Sequence, residues 1–510
     1  MKLFSTASTF ASILLVALLL RGWGLNYDLP YVYHPDEPVN VAISGNIFRS
    51  GDLNPHFFGY PSLFFYANAA AYVPYYLGGK LLGTFHKRSD VLPLVSLAMG
   101  VTKAPIPSVV LLGRVLTVVA GVVSVGLLIL TGARLTGSVL VGLFAGLMLA
   151  ISPTNVQLSR FITPDTFVTM LAIAALFSAT SIYRQGKIRQ YVVGGLLVGL
   201  TASTKYNGGL VVIALVTAHV LRFGWKGFRQ RNLYLALICC GIGFIAATPY
   251  SLIDFQGFVA GLAFEGRDYS RGHPGMEGDS LQWYLAYMWE TAGILYVLAA
   301  LEIVRGMLWR VKEVILLSTF PIVYFAFICT FAVRNDRTLL PLTPFVFLLA
   351  ASLIAYLWRR VAGTETGALR YFAAVTLAVV TLAALAQPFA TSFANGERLV
   401  TTDSRETARQ WIAVNLPSGS KIAIESYCPF VETSAYSVHA FTRIIDNDLQ
   451  WYLDNGFQYL VFSEGMYGRF YHEPERYRNA VSKYEMFFQH LSPLKIFTDG
   501  GYEVRIYNIK

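Results

Sequence analysis

The sequence predicts a polytopic α-helical membrane protein with a small α/β domain at its C-terminal end. Three observations lead there. The 510-residue chain is 55% hydrophobic and only 14% charged, whereas a soluble chain averages roughly 25% charged. Its apolar runs repeatedly approach the ~20 residues needed to cross a bilayer. From residue 402 onward the composition becomes that of a soluble protein, with strand-like alternation. The net charge is +10, but the basic residues cluster between apolar runs, which is an orientation signal and not a nucleic-acid footprint. The four cysteines, Cys239, Cys240, Cys329 and Cys428, have no spacing that suggests a metal site or a disulfide framework.

Taken in order, residues 4–20 follow Lys2 and have signal-like features but no small-residue cleavage site, so they are expected to remain as the first span. A first outer segment, about 21–106, follows. Within it, residues 61–82 are apolar and Tyr-rich but interrupted by Pro74, a pattern that suits a helix on the membrane surface. Further spans are expected over 107–130, 136–151, 165–183, 191–204, 208–221, 233–248, 281–304, 314–332, 339–357 and 371–388, which makes about eleven. A polar segment running to about residue 279 separates two of them. With a cytoplasmic N-terminus, the basic clusters at 184–189, 222–231, 305–312 and 359–360 all fall inside. After the spans, residues 404–414 read as a helix capped by Ser404, and 421–425, 459–463 and 503–507 as strands. The expected division is a membrane domain, 1–398, and an extracytoplasmic α/β domain, 399–510, in a multi-pass protein of the cell (inner) membrane.

The same orientation puts every notable polar group on the outer face. The first is Tyr31 to Asn40, YVYHPDEPVN, in which Asp36 and Glu37 lie between two prolines just after His34. The prolines disfavour a continuous helix, so an irregular turn is expected. A simpler reading makes Asp36 or Glu37 the cap of a helix starting near Pro38. Arg160 and Asp165 lie in LSRFITPDTF, where a helix-dipole acid and a snorkelling arginine are the plain alternatives. Lys205, Tyr206 and Asn207 form a polar break between apolar runs. Arg334 and Arg337 carry guanidiniums suited to bidentate phosphate recognition, unless they belong to a solvated loop. His34, His56 and His273 lack ligand spacing. Carboxylates, arginines and a lysine opening on one face fit either chemistry on a charged lipid-linked substrate or transport.

At HPDEP the chain resembles the GT-C class of integral-membrane glycosyltransferases, specifically family 39, the protein O-mannosyltransferase and aminoarabinose-transferase group. Several other stretches agree in order along the chain: GYPSLFFY from Gly59, LLGRVLTVVAG with Arg114, LSRFITPDTF, GLTASTKYNGG, and RTLLPLTPF from Arg337. Relatives often carry a Lys before the Pro pair that opens the surface helix, where it helps bind phosphate. Tyr60 and Ser62 stand at the matching positions here, which shifts phosphate binding onto Lys205, Arg334 or Arg337.

The resemblance implies a GT-C fold and a polyprenyl-phosphate sugar donor, with a protein, lipid or glycan acceptor. Asp36 is then the base that removes the acceptor proton as the anomeric carbon is attacked from the face opposite phosphate, with inversion. Glu37 orients the acceptor or the sugar. His34, Arg160, Asp165, Lys205, Tyr206, Asn207, Arg334 and Arg337 form the substrate- and phosphate-binding set. No cofactor is required. A divalent metal is compatible with the carboxylates and His34, but their spacing does not indicate one. The competing readings are a transporter or flippase of lipid-linked sugars, which would place charges near the membrane midplane, and a non-catalytic envelope-glycan assembly subunit.

Overall fold

The computed structural model describes residues 2–91, 94–273, 275–365 and 367–510. Among them, stretches long and apolar enough to cross a membrane occur in Pro107–Thr136, Asp165–Arg184, Tyr206–Phe223, Ser280–Leu308, Asp336–Ala362 and Ala368–Asn415. Shorter apolar helices cover Thr6–Gly22, Val139–Ala150 and Arg231–Ala247. Where about eleven spans were expected, six have full crossing length and the shorter helices pack among them. The helix Leu63–Leu81, unbroken at Pro74, is not among the six.

Small residues let these helices approach closely. Added Cβ atoms on Gly195 and Gly199 of the helix Ile188–Thr204 would collide with the carbonyl oxygens of Ala236 and Cys240 on Arg231–Ala247. Two glycines four residues apart thus form the seam of this pair. The large shared core runs through Val125, Leu149, Ile173, Phe320 and Phe345, with the last two rings 4.7 Å apart.

The acid pair does not lie in an irregular turn. A helix runs over Asp36–Ser50, with Pro35 as its N-cap residue and Pro38 in its first turn. Both prolines sit where a helix needs no N–H donor, so they start the helix instead of breaking it. Gly51, at φ 77°, ends it. No side chain caps its N-terminus, so the capping reading of the two acids does not hold either. The segment before residue 279 also differs from a plain polar connection. It contains the helix Phe255–Arg271, started by the Asp254 carboxylate accepting from the Gly257 N–H at 3.1 Å. The helix Ala368–Val400 continues through Pro388, beyond the expected 371–388.

Two sheets pack against each other. The smaller has the strand order Tyr31–Val32, Val101–Lys103, Val95–Ala98. The larger has the order Ser437–Ala440, Lys421–Ile424, Tyr459–Ser463, Val504–Asn508, Pro493–Phe497. Its first three strands are parallel and the remaining pairings antiparallel. The helix Ser404–Asn415 precedes it and is capped by Asp403, one residue before the expected cap. Tyr31, Tyr33 and Val101 share a core with Ile412, Ile422, Phe430 and Ile506. Lys103 Nζ reaches Glu432 at 2.6 Å. The segment leading to Asp36 is therefore held from the C-terminal side.

Candidate active site

Consecutive residues on a helix point about 100° apart, and this separates the two acids. Glu37 faces inward and is fully buried. Arg114 donates to it twice, Nε to Oε1 at 2.9 Å and a terminal nitrogen to Oε2 at 2.8 Å. The Tyr27 hydroxyl and the Ile162 N–H donate at 3.1 and 3.2 Å. Arg114 also donates to the Leu25 and Tyr27 carbonyls and lies 3.7 Å from the Tyr27 ring centroid. Burial alone would raise the Glu37 carboxyl, but Arg114 outweighs it and holds it below the usual carboxylate range. Glu37 thus has no free face for an acceptor or a sugar, unlike the substrate-facing place expected for it.

Asp36 faces outward and keeps 28% of its side chain exposed. Its Oδ2 pairs with Arg337. Burial pushes this carboxyl up, while Arg337 and then His34 pull it down with net effect, so it is ionised at neutral pH. His34 accepts the Asp36 N–H through Nδ1 at 3.2 Å and lies 4.3 Å from the Phe161 ring centroid. Burial lowers the imidazole, opposed by Asp36 and Glu37. It is a neutral support for the turn.

Lys205 and Asp165 form a buried ion pair at 2.7 Å. Lys205 interrupts the chain between Ile188–Thr204 and the turn Tyr206–Val211, while Asp165 opens Asp165–Arg184. Lys205 also acts electrostatically on Asp36. Tyr206 donates to the Phe58 carbonyl at 2.9 Å, and Asn207 donates to the Tyr324 hydroxyl at 2.9 Å. Arg337 Nε and Asn207 Oδ1 are buried without a partner among the described residues, so polar capacity remains for a ligand. Arg337 and Lys205 bring positive charge beside the Asp36 carboxylate, an arrangement that can hold an anion next to a base.

Two expected members lie elsewhere. Arg160 is buried and donates to the Leu20 carbonyl next to Gly396. Arg334 pairs with Glu473 and donates to the Glu277 carbonyl at 2.6 Å, tying a loop to the C-terminal unit. Among the described residues no group of three or more His, Cys, Asp or Glu is placed to hold a metal ion.

Residues 107–250 match the family model of dolichyl-phosphate-mannose-protein mannosyltransferases. In structure the chain is similar to ArnT from Cupriavidus metallidurans bound to undecaprenyl phosphate. That match has a TM-score of 0.57 at 14% identity, over 98% of this chain and 97% of that one. The chain shares the fold of that glycosyltransferase along nearly its whole length. It is also similar to the archaeal oligosaccharyltransferase AglB from Archaeoglobus fulgidus in complex with an inhibitory peptide and a dolichol-phosphate. There the TM-score is 0.55 at 12% identity, over 94% of this chain and 72% of that one. No curated protein matches the chain in sequence.

Reading the sequence for candidate site residues overlooked Glu265 and gave no site role to Tyr60. Tyr60 is within electrostatic reach of Arg337, Asp36 and Asp165, and burial pushes its phenol up. Glu265, on the helix Phe255–Arg271, lies against Gly59, where an added Cβ would meet its Oε1 at 2.6 Å. Burial, with Asp268 adding, raises the Glu265 carboxyl to about 7 against the pull of Arg337 and Lys205. The available signal for Glu265 was an acid within an amphipathic stretch.

Proposed function

We propose that the chain transfers a sugar from a polyprenyl-phosphate donor to an acceptor hydroxyl at the outer face of the membrane, with inversion and with Asp36 as base. The observation that carries this reading is the Asp36–Arg337 pair. One carboxylate oxygen is held by a guanidinium that has a spare buried N–H, while the other oxygen is left to accept a proton. A polyprenyl phosphate leaves as a stable anion, so the reaction has less need of a general acid than glycoside hydrolysis. Arg337 and Lys205 neutralise the departing phosphate. Asp165 holds Lys205 in place, and the neighbouring Asn207 Oδ1 is buried without a partner among the described residues. Glu37 positions Asp36 by anchoring the first helical turn to Arg114. The basic last turns, such as Arg184 and Arg359–Arg360, at the opposite ends of spans whose first turns carry Asp165 and Asp336–Arg337, support this sidedness.

The test offers the purified protein in lipid a panel of polyprenyl-phosphate sugars with cell-envelope acceptors. The parent should transfer, and a folded Asp36→Asn variant should lose about 10²–10⁴-fold in turnover. Full turnover in that variant would sink the base assignment. The product anomer reads inversion directly.

A further inference from the structure

The C-terminal sheet brings the end of one parallel strand to the mouth of the Asp36 pocket. Just past Lys421–Ile424, Tyr427 adopts a left-handed conformation, φ 66°, and its N–H donates to the Met99 carbonyl at 2.8 Å. Its ring packs over Gly100, where an added Cβ would meet Tyr427 at 2.9 Å and the Tyr33 carbonyl at 3.1 Å. Tyr33 is three residues from Asp36. The Asp36 charge is itself felt at the Tyr427 hydroxyl. The Arg469 guanidinium lies over the Tyr427 ring, 4.6 Å from its centroid. On its other side, the Arg469 backbone and Cβ pack against Gly275. The Gly275 loop is fixed by Arg334, whose N–H donates to the Met276 carbonyl at 2.8 Å, three residues before Arg337. Arg469 is therefore bracketed by the two segments that deliver Asp36 and Arg337.

Its charge is unanswered. From residue 404 on there are seven arginines. Six pair with a carboxylate: Arg405, Arg409, Arg443, Arg476, Arg478 and Arg505. Arg469 has no ion pair among the described residues. Its Nε donates to the Gly465 carbonyl at 2.9 Å and its side chain hydrogen-bonds Tyr427, which together aim the guanidinium. Tyr502, 44% exposed, meets the Tyr427 ring edge-on at 6.3 Å. A planar cation beside two phenols suits a ligand with an anionic group on a ring of mixed polarity. The donor phosphate already has Arg337 and Lys205 below.

We propose that Arg469, backed by Tyr427 and Tyr502, binds a phosphate or carboxylate carried by the acceptor sugar and thereby selects which acceptor hydroxyl meets Asp36. The word acceptor rests on the transferase reading above, whereas the anion site does not.

The test uses the full chain in lipid nanodiscs and measures equilibrium binding of glucose 6-phosphate, glucuronate and glucose. The parent should bind at least one charged sugar about tenfold or more tighter than glucose, a difference of about 1.4 kcal/mol. The better of the two charged probes names the group. Arg469→Gln should fall to the glucose level with polyprenyl-phosphate binding unchanged. Arg469→Lys, which keeps the charge but not the fork, should be intermediate, and Tyr427→Phe should weaken the charged probes while keeping the packed ring. Equal affinity for charged and neutral sugars in the parent overturns the proposal, as does unchanged binding in a folded Arg469→Gln protein. If no donor supports transfer while charged-sugar binding remains intact, the transferase reading fails and the acceptor role goes with it, leaving the anion site standing.

Discussion

Glu37 and Arg114 are both fully buried, and four hydrogen bonds converge on the carboxylate. Removing one member of such a pair leaves an uncompensated charge and costs about 3–5 kcal/mol. Arg114→Leu should therefore lower the melting temperature sharply and abolish transfer, while Glu37→Gln with Arg114→Met should recover folding better than Arg114→Leu alone. Thermal unfolding in detergent measures both. Glu265 behaves differently because its carboxyl titrates near pH 7. A polyprenyl-phosphate sugar is a diester whose charge is constant there, so any titration belongs to the protein. Below about pH 7 Glu265 is neutral, and above it a negative charge faces the pocket and opposes the donor phosphate. Donor KM should rise as pH increases through about 7 in the parent and stay flat in Glu265→Gln. A parallel rise in both proteins would remove Glu265 from the donor site.

The helix pair Ile188–Thr204 and Arg231–Ala247 depends on the absence of side chains at Gly195 and Gly199. Association inside a bilayer relies on close packing, because lipid tails are as apolar as the helices. Gly199→Leu should separate the pair and lower the melting temperature, with the loss of Lys205 positioning read as a raised donor KM. The same change at Gly241, which has open space around it, is the control and should be nearly silent. What was legible in the sequence divides at this scale too. Apolar runs revealed the long helices because a lipid-facing helix is apolar all round. The strands Lys421–Ile424 and Tyr459–Ser463 were legible through apolar alternation. The helix Asp36–Ser50 was not, because prolines that usually break helices stand at its first turn, where they do no harm. The helix Phe255–Arg271 was missed because it buries no residue fully and its apolar side is exposed, so it carries no run of spanning length. At the candidate site, residue types spaced along the chain indicated Asp36, Lys205 and Arg337. They could not show that Glu37 faces inward or that Arg334 is diverted to Glu473, because both depend on distant partners.

Across the whole molecule, the C-terminal unit carries its own pH dependence. Glu425 is fully buried, accepting from the Ser463 and Ile444 N–H groups and the Tyr484 hydroxyl at 2.9, 3.3 and 3.1 Å. Burial still prevails and raises its carboxyl to about 8. A carboxyl that binds its proton more tightly in the folded state than in the unfolded chain stabilises the fold at low pH. That stabilisation declines as pH rises from the unfolded value of about 4.3 toward 8, with a slope near 1.4 kcal/mol per pH unit. Unfolding of the C-terminal unit within the full chain, followed by hydrogen exchange at the Lys421–Ile424 and Tyr459–Ser463 strands, should therefore come at lower temperature at pH about 9 than at about 5. Glu425→Gln should remove most of that difference.

The pairing of Asp36 with Arg337 spans 301 residues, and Tyr31 reaches Glu432 across 401. A ribosome making this chain therefore releases the base long before the guanidinium that holds it, and the segment leading to the base waits longer still for its cover. Throughout that interval Asp36 is a solitary acid on an unfinished first loop. Activity can therefore appear only late in biogenesis, after the stretch containing Arg337 has been inserted.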